Sequence, residues 1–210
     1  PPRSTLFPYS TLFRSNVDPV LRGMSGSRLN ILTNDGNLLG ACPSRMDNPL
    51  SYIAPETYDR LTVVKGPQSV RWGAGASAGT VRFERDMPRC DAPGMELQAS
   101  ALGGSNSRND QMLDASFGSR PGYVRVNGNR SESGDYRDGN GEVVPSRWRK
   151  WNADVAVGWT PDADTVVELN AGTGDALARY AGRGMDGAAF KRSSYGLRFE
   201  RGNLPGAWDK

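Results

Sequence analysis

The feature that most constrains this chain is a regular alternation of apolar and polar residues that begins after Pro93. Alternation with a period of two puts one set of side chains on each face of a β-sheet. This part of the chain is therefore predicted to form antiparallel strands with one apolar face and one polar face. The alternating segments lie at residues 95–101, 113–117, 124–127, 152–159, 167–171 and 194–199.

The links between these predicted strands alternate in length. Short turns are expected at residues 120–122 and 161–163, and long polar loops at 131–146 and 172–188. Short turns at one end and long loops at the other are typical of outer-membrane β-barrels. A soluble β-sandwich alternates too, but charge on the polar face of nearly every strand favours the barrel. Aromatic residues near strand ends, as in the girdles of such barrels, favour it as well: Tyr123, Trp148, Trp151 and Trp159.

Composition excludes several classes of protein. No apolar run reaches the roughly 18 residues of a membrane-spanning helix, whereas a barrel needs only alternate apolar residues. The chain has no histidine, so these residues alone cannot build a Ser-His-Asp triad or a histidine-ligated metal site. The net charge of +3 comes from scattered arginines, and without a long basic stripe we expect no nucleic-acid partner.

The preceding region has a mixed α+β character. Strands are expected at residues 28–32, 61–65 and 80–84, where β-branched residues are frequent. A short helix is expected at residues 53–60, with Pro55 near its first turn. Asp35-Gly36 is a strong turn signal directly after the first of these strands.

One segment of this region carries a specific signature. Residues 58–81 read YDRLTVVKGPQSVRWGAGASAGTV, which resembles the plug-domain signature of TonB-dependent receptors, from "ERIEV-KGP" through "YG-GA-GG" into "VIN". Upstream, Leu21-Arg22-Gly23 with Arg28, Ile31 and Asp35-Gly36 resembles the earlier "RG…R…DG" stretch of the same plug. The departures are modest: Asp59 for Glu, Trp72 for Tyr, Ala78 for Gly and Arg82 for Asn.

The glycines of this signature also fit the dinucleotide-binding pattern G-x-G-x-x-G/A at residues 73–78. That site requires a helix that opens at the glycines and points its N-terminus at the pyrophosphate. Here a strand is predicted directly afterwards, at residues 80–83. We therefore exclude a nucleotide site and expect no catalytic residues, so the chain is predicted not to be an enzyme.

The resemblance implies an α+β plug at residues 16–92, followed at residues 93–210 by the first antiparallel transmembrane strands of an incomplete β-barrel. Residues 4–15, STLFPYSTLFRS, resemble a translated DNA-sequencing adapter. We expect residues 1–15 to be a non-native tail. Both ends of the chain are expected to be cut ends of a longer gene.

The stretch from Cys42 to Asp47 contains two candidate metal ligands. Cys42 and Met46 are four residues apart and would share one face of a helical turn. A thiolate and a thioether together favour Cu(I) over hard ions. Two other interpretations stay open: a small buried cysteine with a space-filling methionine, and a disulfide between Cys42 and Cys90.

Two features resemble the copper receptor subfamily of TonB-dependent receptors: this Cys-x-x-x-Met, and residues 178–187, ARYAGRGMDG. In that subfamily the plug Cys and Met bind copper together with a His-x-Met pair of the barrel. Cys42 and Met46 match the plug ligands. The His-x-Met pair is expected beyond Lys210, and Met24 and Met185 have no assigned role.

The resemblance further implies a receptor of the bacterial outer membrane that carries copper inward when TonB pulls on the plug. The expected partners are TonB, through a segment upstream of Asn16, outer-membrane lipid, and a metal ion or metal chelate. Two alternatives stay open: a receptor for a siderophore or other metal chelate, and an exported soluble β-rich binding domain. Polar residues of the barrel interior are expected to face the plug: Glu96, Arg125, Asp154, Glu168 and Arg198.

Overall fold

The computed structural model describes residues 19–42, 47–65, 72–73, 77–88, 92–181 and 186–202. The described part contains a four-stranded sheet, a six-stranded sheet and one small hairpin. None of its helical turns is long or apolar enough to cross a membrane.

The four-stranded sheet is the framework of the plug region. Its strands are β1 (Leu29–Thr33), β2 (Gly36–Asn37), β3 (Arg60–Val64) and β4 (Gly79–Glu84), in the order β2-β1-β4-β3. β1 and β4 run parallel, and the other pairs are antiparallel. Three 3-10 turns complete the region, at Gly26–Arg28, Pro49–Tyr52 and Pro55–Thr57.

The plug core lies on one face of this sheet. Ile31, Val81 and Phe83 project from β1 and β4 onto Leu50 and Ile53, and all five are buried. The strands expected in this region are confirmed, and the expected helix is the single 3-10 turn at Pro55–Thr57. A strand does follow the glycine-rich segment, so the reason for excluding a nucleotide site is confirmed.

The turn between β1 and β2 lies one residue earlier than the Asp-Gly signal predicted. Its central residues are Asn34 and Asp35, with φ of 46° and 65°, and Thr33 pairs with Gly36. Both central residues are left-handed, as a two-residue hairpin turn requires. Asn and Asp tolerate this conformation, so Gly36 is left to begin β2.

The six-stranded sheet is an antiparallel meander of long strands. Its strands are β5 (Gly94–Gly104), β6 (Arg108–Ser119), β7 (Gly122–Ser133), β10 (Trp148–Trp159), β11 (Thr165–Ala178) and β12 (Arg192–Arg201), each paired with the next. The hairpin β8 (Tyr136–Arg137) and β9 (Val143–Val144) stands in the loop between β7 and β10. β5 and β12 are the open edges of the described sheet, so the barrel is not closed.

The two ends of this sheet differ, as predicted. Links of two and five residues, 120–121 and 160–164, lie at one end, which we call the turn end. The longer links 134–147 and 179–191 lie at the other, the loop end, together with the three-residue turn 105–107. β7 and β11 extend to residues 133 and 178, so the long loops begin later than expected.

The two faces of the sheet differ as the alternation predicted. The inner face meets the plug and buries polar side chains, among them Asp110, Arg125, Asn127, Asn129, Lys150, Asn152 and Glu168. The outer face carries an exposed apolar belt, which includes Leu97, Leu113, Phe117, Val124, Val126, Val155, Val157, Leu169 and Leu197. Apolar residues outside and polar residues inside is the arrangement of a strand between lipid and a lumen.

Two of the four aromatic residues expected in girdles face inward instead. Trp148 donates from its indole nitrogen to Ser131 at 2.9 Å. The Tyr123 hydroxyl donates to Glu168 at 2.5 Å, and Tyr123 is buried. Their position near a strand end did not determine which way they point. The alternation of side chains along each strand places both residues on the inner face. Trp151 and Trp159 do face outward and are exposed.

Candidate functional site

Cys42 lies in the plug, between β2 and the 3-10 turn Pro49–Tyr52. It is half-buried and its thiol is free, so it forms no disulfide in this structure. Met46 and Cys90 lie outside the described residues. The two proposed plug ligands are thus not brought together by any contact that the structure describes, and their pairing stays a prediction.

The backbone at Cys42 is held by the carboxylate of Asp47. The amide of Ala41 donates to Oδ2 of Asp47 at 2.7 Å, and the amide of Cys42 donates to both oxygens at 3.2 Å. The hydroxyl of Tyr52 donates to the same carboxylate at 2.6 Å. Three donors on one carboxylate tie residues 41 and 42 to residue 47.

Gly40 has no side chain, and the Asp47 carboxylate occupies the space where a side chain at position 40 would be. A Cβ at residue 40 would stand 2.4 Å from Oδ1 and 2.9 Å from the carbonyl oxygen of Asp47. Real Cβ atoms do not approach other atoms so closely, so any larger residue at position 40 would displace Asp47.

Local sequence explains why Tyr52 reaches this carboxylate. Asn48 caps the following turn: its side-chain oxygen accepts the amide of Leu50 at 2.9 Å, and Pro49 takes the first position, where no N–H is needed. The turn is short, and it places Tyr52 five residues after Asp47 with its hydroxyl directed back at the carboxylate.

These hydrogen bonds set the acidities of both partners. Burial by itself would raise the pKa of Asp47, but the hydrogen bonds from Tyr52, Cys42 and Ala41 outweigh it, and the pKa is lowered. Burial together with the negative charge of Asp47 raises the pKa of Tyr52 to about 12. At neutral pH the pair is therefore a carboxylate that accepts from a neutral hydroxyl.

Tyr52 also contacts the barrel wall. Its ring meets the ring of Phe190 edge to face, with centroids 5.6 Å apart. Ala176 and Ala178 of β11 belong to the same buried cluster. Lys150 of β10 holds the turn from a second side, because its ammonium donates to the carbonyl of Leu50 at 3.0 Å. The segment that carries Cys42 is thereby fixed against the sheet near its loop end.

Further towards the turn end, Arg125 of β7 binds the plug. It donates to both oxygens of Asp59, at 2.7 and 2.9 Å, and to Asp114 of the neighbouring strand at 2.6 and 3.0 Å. The pKa of Asp59 is lowered, since the hydrogen bonds from Arg125 and from the amide of Asp86 outweigh the effect of burial. This contact is a forked arginine–carboxylate pair between plug and sheet.

A second contact of opposite polarity lies beside it. Arg85 of the plug donates to Asn127 at 2.9 Å and to Asp154 at 3.3 Å. Asp154 also accepts from Arg192 of β12 at 2.5 Å. The side chains of Arg85, Asp154 and Arg192 are at most 14% exposed, so water screens these charges little.

All five barrel residues that were expected to face the plug lie on the inner face of the sheet, and two of them, Arg125 and Asp154, bond plug residues directly. Glu168 and Arg198 line the cavity between the sheet and the plug. Glu168 binds Tyr123 within the barrel wall, and Arg198 pairs with Glu200 on its own strand at 2.5 Å. Glu96 lies on β5, where every residue is exposed. Sequence reasoning missed the plug partners Asp59 and Arg85, because nothing local distinguishes them from other charged residues.

Among the described residues, no three His, Cys, Asp or Glu side chains lie close enough together to hold a metal ion. Cys42 is the thiol that the described plug offers, and Asp47 is engaged by three donors. A soft cation bound through Cys42 would therefore need its remaining ligands from other residues.

Comparison with known proteins identifies the family. The TonB-dependent receptor plug domain matches residues 9–80. Among solved structures, the ferric enterobactin receptor PfeA of Pseudomonas aeruginosa in complex with BCV-L6 matches with a TM-score of 0.60 and 17% identity, over 89% of this chain and 33% of that one. The siderophore receptor PirA of Acinetobacter baumannii matches with a TM-score of 0.62 and 16% identity, over 88% and 31%. At such identity these two matches show the fold alone.

The chain belongs to the TonB-dependent receptors, which are β-barrel proteins of the outer membrane. Within that class it is similar to the copper transporter OprC, with 67% identity and a TM-score of 0.83 over 88% of this chain. The chain spans 28% of the length of OprC. A search of curated proteins gives no match. These findings point to a family of receptors and transporters, not to a family of enzymes.

Proposed function

We propose that this chain is part of an outer-membrane receptor that takes up copper, with Cys42 and Met46 as the copper ligands of its plug. The observation that carries the proposal is the free, half-buried thiol of Cys42, presented by an anchored plug segment in a chain 67% identical to a copper transporter. A thiolate and a thioether favour Cu(I). Copper is the cargo, and the chain supplies part of its binding site.

Transport would depend on the two faces of the six-stranded sheet. The outer apolar belt faces lipid, and the inner polar face holds the plug through ion pairs such as Arg125–Asp59. Polar contacts can exchange with water, so the plug can be moved at modest cost. We propose TonB as the partner that pulls the plug, and no nucleic acid as a partner.

The test is a Cu(I) titration of the complete receptor in competition with a coloured Cu(I) chelator. Cys42→Ser and Met46→Leu should each weaken Cu(I) binding by roughly 100-fold or more, since losing a ligand costs at least as much as losing an outer-shell partner. Cys90→Ser and Met185→Leu are the matched controls, and their Cu(I) affinity should equal that of the wild type. Equal affinity in the Cys42 and Met46 variants would overturn the ligand assignment.

A receptor for a metal chelate is the other candidate, because two siderophore receptors share the fold. It predicts that the receptor binds a ferric chelate and does not bind free Cu(I). Running the same titration with a ferric catecholate separates the two.

A further inference from the structure

Asp47 lies beside the proposed copper site but is not one of its proposed ligands. Asp47 directs its carboxylate at the backbone of Ala41 and Cys42, not outward. Its third donor, Tyr52, is itself packed against Phe190 of the loop between β11 and β12. The carboxylate thus links the backbone of Cys42 to the barrel wall.

We propose that Asp47 is the positioning residue of the Cys42 site: its carboxylate fixes the backbone of Cys42, and Tyr52 holds that carboxylate against Phe190. The inference deepens the proposed function and rests on it. Asp47 does not bind the metal; it presents the thiol in one place, so that less conformational freedom is lost when Cu(I) binds.

Three features of the described residues support this role. First, Gly40 is the residue whose missing side chain makes room for the carboxylate, with only 2.4 Å between a Cβ there and Oδ1. Second, the turn that carries Tyr52 is held twice, by the Asn48 cap and by Lys150 of β10. Third, Tyr52 is buried, so its hydroxyl has few alternatives to Asp47.

An ordinary structural role for Asp47 would predict a different result. A residue that only stabilised the plug would lower the melting temperature and leave the Cu(I) affinity of the folded receptor unchanged. A positioning residue lowers the affinity while the melting temperature of the metal-free receptor changes little, because the carboxylate holds only the short segment at residues 41 and 42. The two quantities must therefore be measured on the same samples.

The experiment compares Asp47→Asn with wild type in the complete receptor. Asparagine has nearly the same shape as aspartate but only one acceptor oxygen. Its NH2 group would take the place of the second oxygen and face the N–H and O–H donors that the carboxylate accepts from. We expect Cu(I) affinity to fall about 10- to 100-fold, the usual effect of losing an outer-shell partner. The ultraviolet absorption of the Cu(I)–thiolate bond at saturation should stay that of the wild type, because Cys42 remains the ligand.

Two further variants keep the test decisive if Asp47→Asn does not fold. Gly40→Ala displaces the carboxylate without changing any polar group, and Tyr52→Phe removes one donor. Both should weaken Cu(I) binding, Tyr52→Phe less than Gly40→Ala. Asp59→Asn is the matched control, the same substitution at a plug carboxylate that accepts one backbone amide and an arginine; its Cu(I) affinity should be unchanged.

The outcomes separate this inference from the proposed function. If wild type binds Cu(I), Cys42→Ser does not, and Asp47→Asn and Gly40→Ala bind like wild type, the positioning role is wrong and the copper site stands. If wild type does not bind Cu(I), or Cys42→Ser binds equally well, the proposed function itself is wrong. If Asp59→Asn weakens binding as much as Asp47→Asn, the effect is general and the positioning role is wrong.

Discussion

Arg125 donates four hydrogen bonds to two carboxylates. Its guanidinium is shared by Asp59 of the plug and Asp114 of the sheet, and its side chain is 10% exposed. Removing one partner of a largely buried pair leaves uncompensated charge, which is far costlier than losing an exposed pair. The plug should therefore depend on this residue.

We predict that Arg125→Gln destabilises the complete receptor by about 3 kcal/mol, since two carboxylates lose their common partner. Arg130→Gln, on the same strand, is the matched control. Its side chain is 60% exposed and pairs with Glu132, so a change of at most about 1 kcal/mol is expected. Thermal unfolding in detergent and protease cleavage of the plug report both effects. Equal destabilisation by the two variants would contradict the prediction.

The same contact predicts a pH dependence. The pKa of Asp59 is lowered in the folded protein, so this carboxylate stabilises the fold above its ordinary pKa of 3.8. That stabilisation is lost as the pH falls below this value and through the lowered pKa. Plug stability measured from pH 7 to 3 should therefore fall less steeply below pH 4 in Asp59→Asn than in wild type. A steeper or identical fall in the variant would be inconsistent with this role.

At the scale of elements, the apolar belt predicts which strand positions tolerate charge. Val155 lies in the middle of the belt on β10 and is 40% exposed, and Gln111 lies on the same outer face of β6, nearer the loop end. Val155→Arg should cost about 2–4 kcal/mol of folding free energy in a bilayer, and Gln111→Arg about 0–1 kcal/mol, because the cost depends on depth. Folding titrations in lipid vesicles measure both. Equal costs would mean that this face does not meet lipid.

The alternation of apolar and polar residues predicted the strands and their two faces, because each strand has lipid on one side and the lumen on the other. The alternation is expected only where both environments are present. The alternation ended too early because β7 continues beyond the belt with both of its faces polar, and because β11 carries only glycine and alanine on its inner face there. Residues 128–133 read GNRSES, and the inner face of β11 carries Gly172 and Gly174. Those glycines are required by packing: a Cβ at Gly172 would lie 1.9 Å from Oδ1 of Asp154. No periodicity signals such a contact.

The candidate site was less predictable than the fold. Cys42 could be chosen from its chemistry, but Asp47 and Tyr52 act through a turn whose path sequence does not fix. The sequence does indicate the turn itself: in Asp47-Asn48-Pro49, an asparagine before a proline is typical of a capped turn. Partners across the plug and sheet, such as Asp59 with Arg125, are 66 residues apart, and only the assembled fold brings them together.

At the scale of the whole molecule, plug and sheet need each other and need lipid. Part of the inner polar face bonds the plug, through Arg125 and Asp154, and the outer face exposes an apolar surface such as soluble monomers rarely carry. Within the described sheet, β5 and β12 also present unpaired edges, which lipid cannot satisfy.

The 210-residue chain by itself is therefore predicted to aggregate in plain buffer and to become dispersed only with detergent. The apolar belt would associate between copies in water, and the two open edges would pair with one another. Light scattering after size-exclusion chromatography, with and without detergent, measures this. A monodisperse chain in plain buffer, with Val155 and Leu197 protected from solvent, would support the soluble β-rich alternative. Detergent-dependent dispersion together with retained strand content supports a sheet that is built to meet lipid, because a soluble sandwich gains nothing from detergent.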